Sequence, residues 1–396
     1  MTVRIPLSSP DITEAEIEAV TAVLRTHRLS LGPELEVFEH AMASYHGVAD
    51  AVAVSSGTAG LHLALRALGI GEGCEVIVPS FAFVAVANAV SYGGATPVFV
   101  DIDPVTLNLD PALVEQAITP RTRAVLVVHT FGIPAEMDRI QQIAERHHLV
   151  LLEDACEAIG AEYDSRKAGT FGNLAIFGFY PNKQITTGEG GCILASDPRL
   201  ARRLRSLRNH GRPTPGESPP TEHQGMQDSN WLEHVEIGFN YRLSELACAL
   251  GRVQLQRINE ILAMRRAAAE RYQTLLSGIP GLRTPPLSLP RRSISWFVYV
   301  VRLPEGAENR DGQTGFRDRV QAKLAANGIA AARYFAPIHL QPAWCDHPSA
   351  RGLRLPSTEA IAARTLALPF FNQITSNEQE QVADALADAI ESCRPS

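Results

Sequence analysis

The sequence predicts an α/β fold: a mostly parallel seven-stranded sheet with one antiparallel strand, followed by a smaller C-terminal α+β domain. Seven apolar, β-rich runs alternate with amphipathic segments between residues 51 and 196, the rhythm of a parallel sheet covered on both faces. Only residues 181–190 separate the last two runs. Because a parallel crossover needs about a dozen residues or more, the seventh strand is expected to run antiparallel.

The predicted elements follow one another in a regular order. The strands are AVAVSS, EVIVPS, TPVFVDI, AVLVVHT, LVLLEDA, LAIFGFY and GCILAS, and the helices between them include AGLHLALRAL, FVAVANAVSYGG, PALVEQAI and AEMDRIQQIAERHH. An N-terminal helix is predicted to begin at a cap formed by Asp11 or Thr13. Residues 211–225 are rich in proline and glycine and are expected to form a long loop.

A long helical pattern from Leu243 to about Leu276 is predicted to connect two domains. After it, the strand SWFVYVVRL and the helices GQTGFRDRVQAKLAANG and TSNEQEQVADALADAI predict an α+β unit. We therefore expect residues 1–250 to form a large, cofactor-binding α/β domain that includes the N-terminal helical segment. Residues 251–396 are expected to form the small domain.

Composition narrows the class of protein. The chain has 396 residues and a net charge of −7, without a block of basic residues for nucleic acid or an apolar run that spans a bilayer. Its six cysteines have no C-x-x-C spacing, which argues against a disulfide framework and a zinc site. We expect a cytoplasmic protein with a small-molecule substrate, no metal, and neither nucleic acid nor membrane as a partner.

Lysine is scarce in this chain. Of 36 basic residues only Lys167, Lys183 and Lys323 are lysines, and arginine cannot replace lysine as an amine nucleophile because its guanidinium stays protonated. Lys183 lies in the predicted loop FYPNKQITTGEGG between two strands, before a glycine-rich turn. This position favours an amine used for Schiff-base chemistry over a surface charge.

Two upstream segments complement this lysine. SSGTAGLHLALRAL predicts a turn at Gly57 and Thr58 whose amides, at a helix start, could bind one phosphate, although a plain tight turn also accounts for it. LVLLEDACEAIGA places Asp154 at the end of a strand, where it could keep a pyridine nitrogen protonated or simply cap a helix. A phosphate turn, an acid for the pyridine and an imine lysine are the three contacts that pyridoxal 5'-phosphate (PLP) requires.

These residues also resemble a known family, the DegT/DnrJ/StrS-type PLP-dependent sugar aminotransferases of the fold-type-I superfamily. The likeness covers nearly the whole chain, through SSGTAGLHLAL, VPSFAFVAVANAV, FVDIDP, HTFGIPAEMD, EDACEAIGA, FYPNKQITTGEGG, RNHGR, GFNYRLSELACALGRVQL, RYFAPIHLQP and LALPFF. It implies a fold-type-I PLP-dependent transferase with L-glutamate as amino donor and a nucleotide-linked keto-deoxy sugar as acceptor. It also implies a homodimer with shared active sites.

The resemblance gives individual residues a role. Lys183 matches the Schiff-base lysine, Asp154 the carboxylate at the pyridine nitrogen, and Gly57 and Thr58 the phosphate turn. The remaining matches are Phe83, stacked on the cofactor, Asn240, which reaches the phosphate in the neighbouring subunit, and Tyr334 and His339, near the substrate.

Two positions depart from the commonest family pattern. Glu157 stands where many members have glutamine near the phenolic oxygen of the cofactor, and Gly178 stands where many have a serine that binds the phosphate. Neither change removes a group that transamination requires, but both bear on how the cofactor is held.

Amination at C-4 of the sugar is expected from ITTGEGG at residues 185–191, because family members that act at C-3 tend to end this segment in GDGG. The runner-up acceptor is a cyclitol ketone, aminated with glutamine as donor. A related PLP-dependent sugar dehydratase would carry histidine in place of Lys183. A non-catalytic, PLP-binding regulatory protein is the alternative outside enzymes, and retained cofactor binding without turnover would indicate it.

Overall fold

A computed structural model describes residues 3–213, 233–305 and 315–394 of the chain. Its central feature is a seven-stranded sheet with the order β1-β9-β8-β5-β4-β2-β3. The strands are β1 (Asp50–Val54), β2 (Glu75–Pro79), β3 (Thr96–Val100), β4 (Thr122–Val128), β5 (Val150–Asp154), β8 (Leu174–Gly178) and β9 (Gly191–Ala195). All seven strands predicted from the apolar runs are therefore confirmed.

Strand β9 is the antiparallel member of this sheet. It pairs antiparallel with both neighbours, so that Gly191 faces Val54 on β1 and Gly178 on β8. The other pairs in the sheet run parallel. The predicted reversal is confirmed, and it follows from the short connection between β8 and β9, which cannot contain a crossover helix.

Helices cover both faces of the sheet. They are α2 (Pro33–His46), α3 (Gly57–Ala67), α4 (Ala85–Tyr92), α5 (Pro111–Gln116), α6 (Met137–Arg146), α7 (Pro198–Arg208) and α8 (Glu245–Gln256). Alternate strand residues point to opposite faces. One face packs on α3, α4 and α7, and the other on α2, α5, α6 and α8.

The N-terminal helix α1 (Glu14–Leu24) packs on α8. Thr13 is its cap, and the Glu16 carboxylate accepts the Thr13 N–H at 2.7 Å. Asp11, the other predicted cap, instead pairs with Arg257 at 3.1 Å. The segment is thereby tied to the start of the connecting helices.

The connecting region consists of two helices rather than the single one predicted. α8 ends at Gln256 and α9 (Ile258–Leu276) begins after Arg257, whose φ of −93° and ψ of 6° interrupt the helical geometry. The apolar period continues across this break without proline or glycine, so the sequence pattern does not reveal it.

The C-terminal part has its own apolar core, which Ile5 and the second half of α9 join. Its elements are β11 (Tyr299–Arg302), β12 (Thr365–Leu368), α10 (Phe316–Ala326), α11 (Pro356–Ala362) and α12 (Ser376–Cys393). A small sheet of β6 (Glu162–Tyr163), β7 (Arg166–Lys167) and β10 (Arg292–Ser293) was not predicted. The division of the chain at residue 250 stays a prediction.

Residues 214–225 of the predicted loop lie outside the described residues. Within the part of the chain that the structure describes, no helix is both long enough and apolar enough to cross a membrane.

Helix α2 buries a histidine that should make the fold sensitive to acid. The Nδ1 atom of His46 lies 2.9 Å from the Met42 carbonyl oxygen and so carries a proton, while Nε2 is buried without a partner among the described residues. Burial therefore lowers the pKa of His46 from 6.5 to about 4.

The imidazole of the unfolded chain takes up a second proton below pH 6.5, whereas His46 in the folded chain does so only at about pH 4. Within that window we expect His46 to remove about 1.4 kcal/mol of unfolding free energy per pH unit of acidification. Denaturant unfolding of the wild type and a His46→Leu variant between pH 7 and pH 4 measures it. Equal slopes in both proteins would contradict the assignment.

Candidate active site

The carboxyl ends of three central strands open onto a cleft of about 540 Å³. Val128, Asp154 and Gly178, the last residues of β4, β5 and β8, all line it. Phe297 and residues 333–335 of the C-terminal part form another wall. The carboxyl edge is where open α/β sheets bind their ligands.

Lys183 lies in the connection between β8 and β9 and lines this cleft. The backbone N–H of Lys183 donates to the Tyr180 carbonyl at 2.9 Å, and this bond closes a turn after β8. The Nζ atom lies 3.9 Å from the centroid of the Phe297 ring and 3.6 Å from Oε1 of Glu157. Since the side chain is only 15 % exposed, the amine is held inside the cleft rather than on the protein surface.

Glu157 is a buried carboxyl group that lines the cleft beside the Lys183 amine. Its Oε2 accepts the backbone N–H of Phe131 at 2.8 Å. Burial raises the pKa of Glu157, and the nearby Lys183 opposes that rise.

Asp154 and its neighbour Glu153 have separate surroundings because successive strand residues point to opposite faces. Asp154 lines the cleft, with Oδ1 accepting the Cys156 N–H at 3.0 Å. Glu153 is fully buried elsewhere, where Nε2 of His129 lies 2.9 Å from its Oε2 and the Gly169 N–H donates to the same atom. Of the two acids, Asp154 is the one available to a ligand.

Gly57 begins helix α3 at the rim of the cleft. Ser56 caps the helix by accepting the Ala59 N–H at 3.0 Å, while the N–H groups of Gly57 and Thr58 have no partner within the helix. Such amides, together with the helix dipole, are suited to binding an anion.

Cys156 explains why Gly57 and Gly178 carry no side chain. A Cβ atom on Gly57 would lie 2.8 Å from Cys156 Sγ, and one on Gly178 would lie 3.2 Å from the same sulfur. A serine at position 178 would therefore be in tight contact with this thiol, which would have to shift to accommodate it. Cys156 is thus the neighbour that accompanies glycine, in place of the family's serine, at position 178.

Phe83 is 63 % exposed and lines the cleft, so it is not a core phenylalanine. Tyr334 also lines the cleft, and Nδ2 of Asn182 donates to its hydroxyl at 3.4 Å.

The other two residues selected from the sequence lie elsewhere. Asn240 is exposed and is not among the cleft-lining residues of its own chain. His339 is 1 % exposed, with Nδ1 lying 2.6 Å from Ser80 Oγ, and it does not line the cleft. Direct contact of His339 with a substrate is therefore not supported by this arrangement.

Phe297 and Arg333 line the cleft but were not selected from the sequence. The segment SWFVYVVRL predicts only a strand, and in RYFAPIH the family resemblance points to the tyrosine and the histidine. Nothing in either spacing indicates that Phe297 lies against Lys183, which is more than a hundred residues away in the chain.

The residues of the cleft fit PLP in chemistry and position. One cleft contains a shielded lysine amine, a strand-end carboxylate, two free helix-start amides and an exposed aromatic ring. The amine suits the aldehyde of PLP, and the carboxylate suits its pyridine nitrogen. The amides suit its phosphate, and the aromatic ring suits its flat face. The fold and the site together define a PLP-dependent enzyme of the α/β class.

Comparison with known proteins identifies the family. Residues 10–387 match the DegT/DnrJ/EryC1/StrS aminotransferase family, and the chain belongs to it. GDP-perosamine synthase of Caulobacter vibrioides is 40% identical over 385 residues, 97% of each chain. The dTDP-3-amino-3,4,6-trideoxy-alpha-D-glucose transaminase of Streptomyces venezuelae is 39% identical over 372 residues, 93% of this chain and 90% of the relative.

Solved structures agree with this assignment. S. venezuelae DesV superimposes with a TM-score of 0.84 at 38% identity over 100% of both chains. Streptococcus pneumoniae Spr1654 in its PLP form gives a TM-score of 0.88 at 27% identity, covering 99% of this chain and 100% of that one. The protein is thus a sugar aminotransferase, and its family and neighbours imply PLP as the cofactor. The predicted fold class and family are confirmed.

Proposed function

We propose that the enzyme moves the amino group of L-glutamate to C-4 of a nucleotide-diphosphate-linked 4-keto-6-deoxy sugar, with PLP held on Lys183. The balanced outcome is 2-oxoglutarate and the 4-amino sugar. The observation that carries the proposal is the enclosed Lys183 amine, which shares one cleft with Asp154 and the Gly57–Thr58 turn.

Each residue has a distinct task in this proposal. The Lys183 amine would hold PLP at its aldehyde carbon, with loss of water, and Asp154 would keep a proton on the pyridine nitrogen. The amides of Gly57 and Thr58 hold the phosphate. When bound, PLP supplies an electron-withdrawing ring that stabilises negative charge at the carbon losing its proton.

Lys183 has a second task once its amine is free. Nζ would then be the base that removes the proton from the α-carbon of the amino donor and the acid that afterwards gives this proton up. The short distances to Phe297 and Glu157 restrict where Nζ can move. For the acceptor sugar the same atom performs these proton transfers in the opposite direction.

The choice of C-4 rests on the segment that follows Lys183. Within ITTGEGG at residues 185–191, Glu189 and Gly190 line the cleft. A change in this turn can therefore alter which ring carbon of the sugar approaches the cofactor. The two curated relatives carry different nucleotides in their names, and one name specifies a 3-amino sugar.

Arg333 supplies a cation for the diphosphate of such a substrate. Its side chain is 51 % exposed, lines the cleft and pairs with Asp318 at 2.7 Å. A guanidinium can bind a phosphate group through two parallel hydrogen bonds.

A panel of acceptors tests the substrate. We expect 2-oxoglutarate release from glutamate with 4-keto-6-deoxy nucleotide sugars and little with the matched 3-keto compounds, because the turn at 185–191 sets the approach of the ring. Running each acceptor with glutamine as well identifies the donor. Turnover confined to 3-keto sugars would refute C-4, and turnover confined to a cyclitol ketone with glutamine would support the runner-up function.

The proposal includes a homodimer in which each subunit completes its partner's site. Phe83, Tyr180 and Ile237 are exposed to 63 %, 53 % and 80 %, which suits a surface covered by a second subunit. Asn240 is exposed on the same chain, free to reach a neighbouring cofactor phosphate.

Mixing two inactive variants tests this sharing. Lys183→Ala and Asn240→Ala subunits should form hybrid dimers with one intact site, and random exchange of equal amounts should restore about a quarter of wild-type activity. A mixture of Lys183→Ala with Asp154→Asn is the control, since no hybrid site would be intact. Absence of recovery after verified subunit exchange would place Asn240 in its own subunit's site or outside both.

A further inference from the structure

Arg265 on helix α9 is a buried cation near the candidate active site. It is 2 % exposed, and no carboxylate among the described residues forms an ion pair with it. Burial lowers the pKa of its guanidinium to about 10, while the charge of Asp11 acts in the opposite direction. A buried charge without a counterion is unfavourable, and an apolar side chain of similar length would fill the same volume without that penalty.

The hydrogen-bond partners of Arg265 are three backbone carbonyl groups, two of which belong to the cleft-lining residues Lys183 and Phe297. The guanidinium also lies 5.5 Å from the centroid of the Phe370 ring. Nη2 donates to the carbonyl of Lys183 at 3.2 Å, while Nη1 donates to those of Trp296 and Phe297 at 3.3 and 3.2 Å. Nε has no partner among the described residues. The guanidinium therefore joins the two segments that carry the catalytic amine and the ring beneath it.

The backbone at Trp296 needs such a support. Its φ of 53° lies in the left-handed region, which is unfavourable for a bulky residue. Strained residues persist only where surrounding contacts hold them. The bond from Arg265 to the Trp296 carbonyl is one such contact, and the next residue is Phe297, whose ring lies 3.9 Å from the Lys183 amine.

A second residue connects the same segments. Nε2 of Gln184 donates to the Glu157 carbonyl at 2.6 Å and to Ser295 Oγ at 3.0 Å. Arg265 and Gln184 thus bind the Lys183 connection to the segment at 295–297 from two directions. The positions of the amine, the ring and the Glu157 carboxyl group depend on one another through these bonds.

We propose that Arg265 is a positioning residue that holds the Lys183 and Phe297 segments together, so that the Lys183 amine stays over the Phe297 ring and beside Glu157. The inference rests on the proposed role of Lys183. It explains why α9 keeps a cation at a buried position where packing alone would favour an apolar residue.

Two substitutions at this position test the proposal with one control. Arg265→Met keeps the length and removes the donors, and Arg265→Lys keeps a cation that can bond fewer carbonyls at once. Arg266→Met is the control, because Arg266 is the adjacent, exposed residue and pairs only with Glu270, at 2.9 Å, among the ion pairs of the described residues. Each variant is compared as PLP-loaded enzyme at equal cofactor content.

We expect Arg265→Met to lower kcat on the order of 10²-fold, the loss that a misplacement of about 1 Å can cause. The KM values should change little, since Arg265 contacts neither substrate. An α-deuterated amino donor should show a larger isotope effect on kcat than in the wild type, because proton transfer by Lys183 becomes slower. Arg265→Lys should recover part of kcat, and Arg266→Met should match the wild type.

The inference would be overturned if Arg265→Met had the kcat and the isotope effect of the wild type. It would also be overturned if the loss of activity in this variant equalled the fraction of protein that is unfolded. If Arg265→Met does not fold, wild-type kcat in both Arg265→Lys and Arg265→Gln overturns it. Borohydride reduction and peptide mapping of the variants separate this question from the role of Lys183. A cofactor fixed to another lysine would refute the proposed function itself.

Discussion

Replacing Lys183 by alanine should abolish transamination, with a loss of at least about 10⁴-fold, while PLP still binds without a covalent bond. In the proposed mechanism this amine both holds the cofactor and moves the proton, and no other lysine lies in the cleft among the described residues. Steady-state kinetics with the preferred acceptor measure the loss. Dialysis with fluorescence of the released cofactor measures the weakened retention.

Lys323→Ala is the matched control for this experiment. Nζ of Lys323 lies at the C-terminal part of the chain, 3.3 Å from the Asp388 carbonyl oxygen. This variant should retain wild-type kcat and cofactor content. Borohydride treatment of the wild type should attach the cofactor to Lys183, and attachment to Lys167 or Lys323 would show that the catalytic lysine has been misassigned.

Asp154→Asn should lower kcat by about 10²–10³-fold, the effect of removing one electrostatic group at a reacting centre. An asparagine amide cannot keep the pyridine nitrogen protonated, so the cofactor ring withdraws electrons less strongly. The α-proton exchange of the amino donor, followed by NMR in deuterated water, should slow by a similar factor. Retention of most of the wild-type kcat would exclude Asp154 from this role.

Glu153→Gln is the control for Asp154→Asn, since it changes the adjacent acid on the opposite face of the strand. Glu153 accepts backbone N–H bonds from Phe171 and Gly172, both at 2.6 Å, in a fully buried site. Its loss should lower the free energy of unfolding by about 1–3 kcal/mol. The kcat per folded molecule should remain that of the wild type.

The sheet was predictable because its strands are apolar runs, and the segments between most of them are long enough to contain a helix that connects parallel strands. The reversal at β9 followed from a connection too short for a helix. Helices α2 and α7, which flank the pattern of strands on either side, were not predicted despite usable signals. α2 begins at Pro33 and ends before Gly47, and α7 follows the capping residue Asp197.

The site was only partly predictable for a physical reason. Asp154 lies at a strand end, Gly57 at a helix start and Lys183 in the short connection between two strands, and the sequence pattern locates all three positions. Phe297 and Arg265 act from elements distant in the chain, and the contacts that join them to Lys183 arise only from packing. Local periodicity carries no information on such contacts.

The position of β9 between β1 and β8 has a consequence for the folding of the enzyme. β1 is formed by residues near position 50 and β9 by residues near position 190, so their pairing closes a very long loop. Such non-local pairing is slow because the chain loses much conformational entropy before the stabilising contacts between the two strands form. The lysine-bearing connection is anchored only after β9 has inserted, so we expect cofactor capture to be a late event in refolding rather than a nucleus for it.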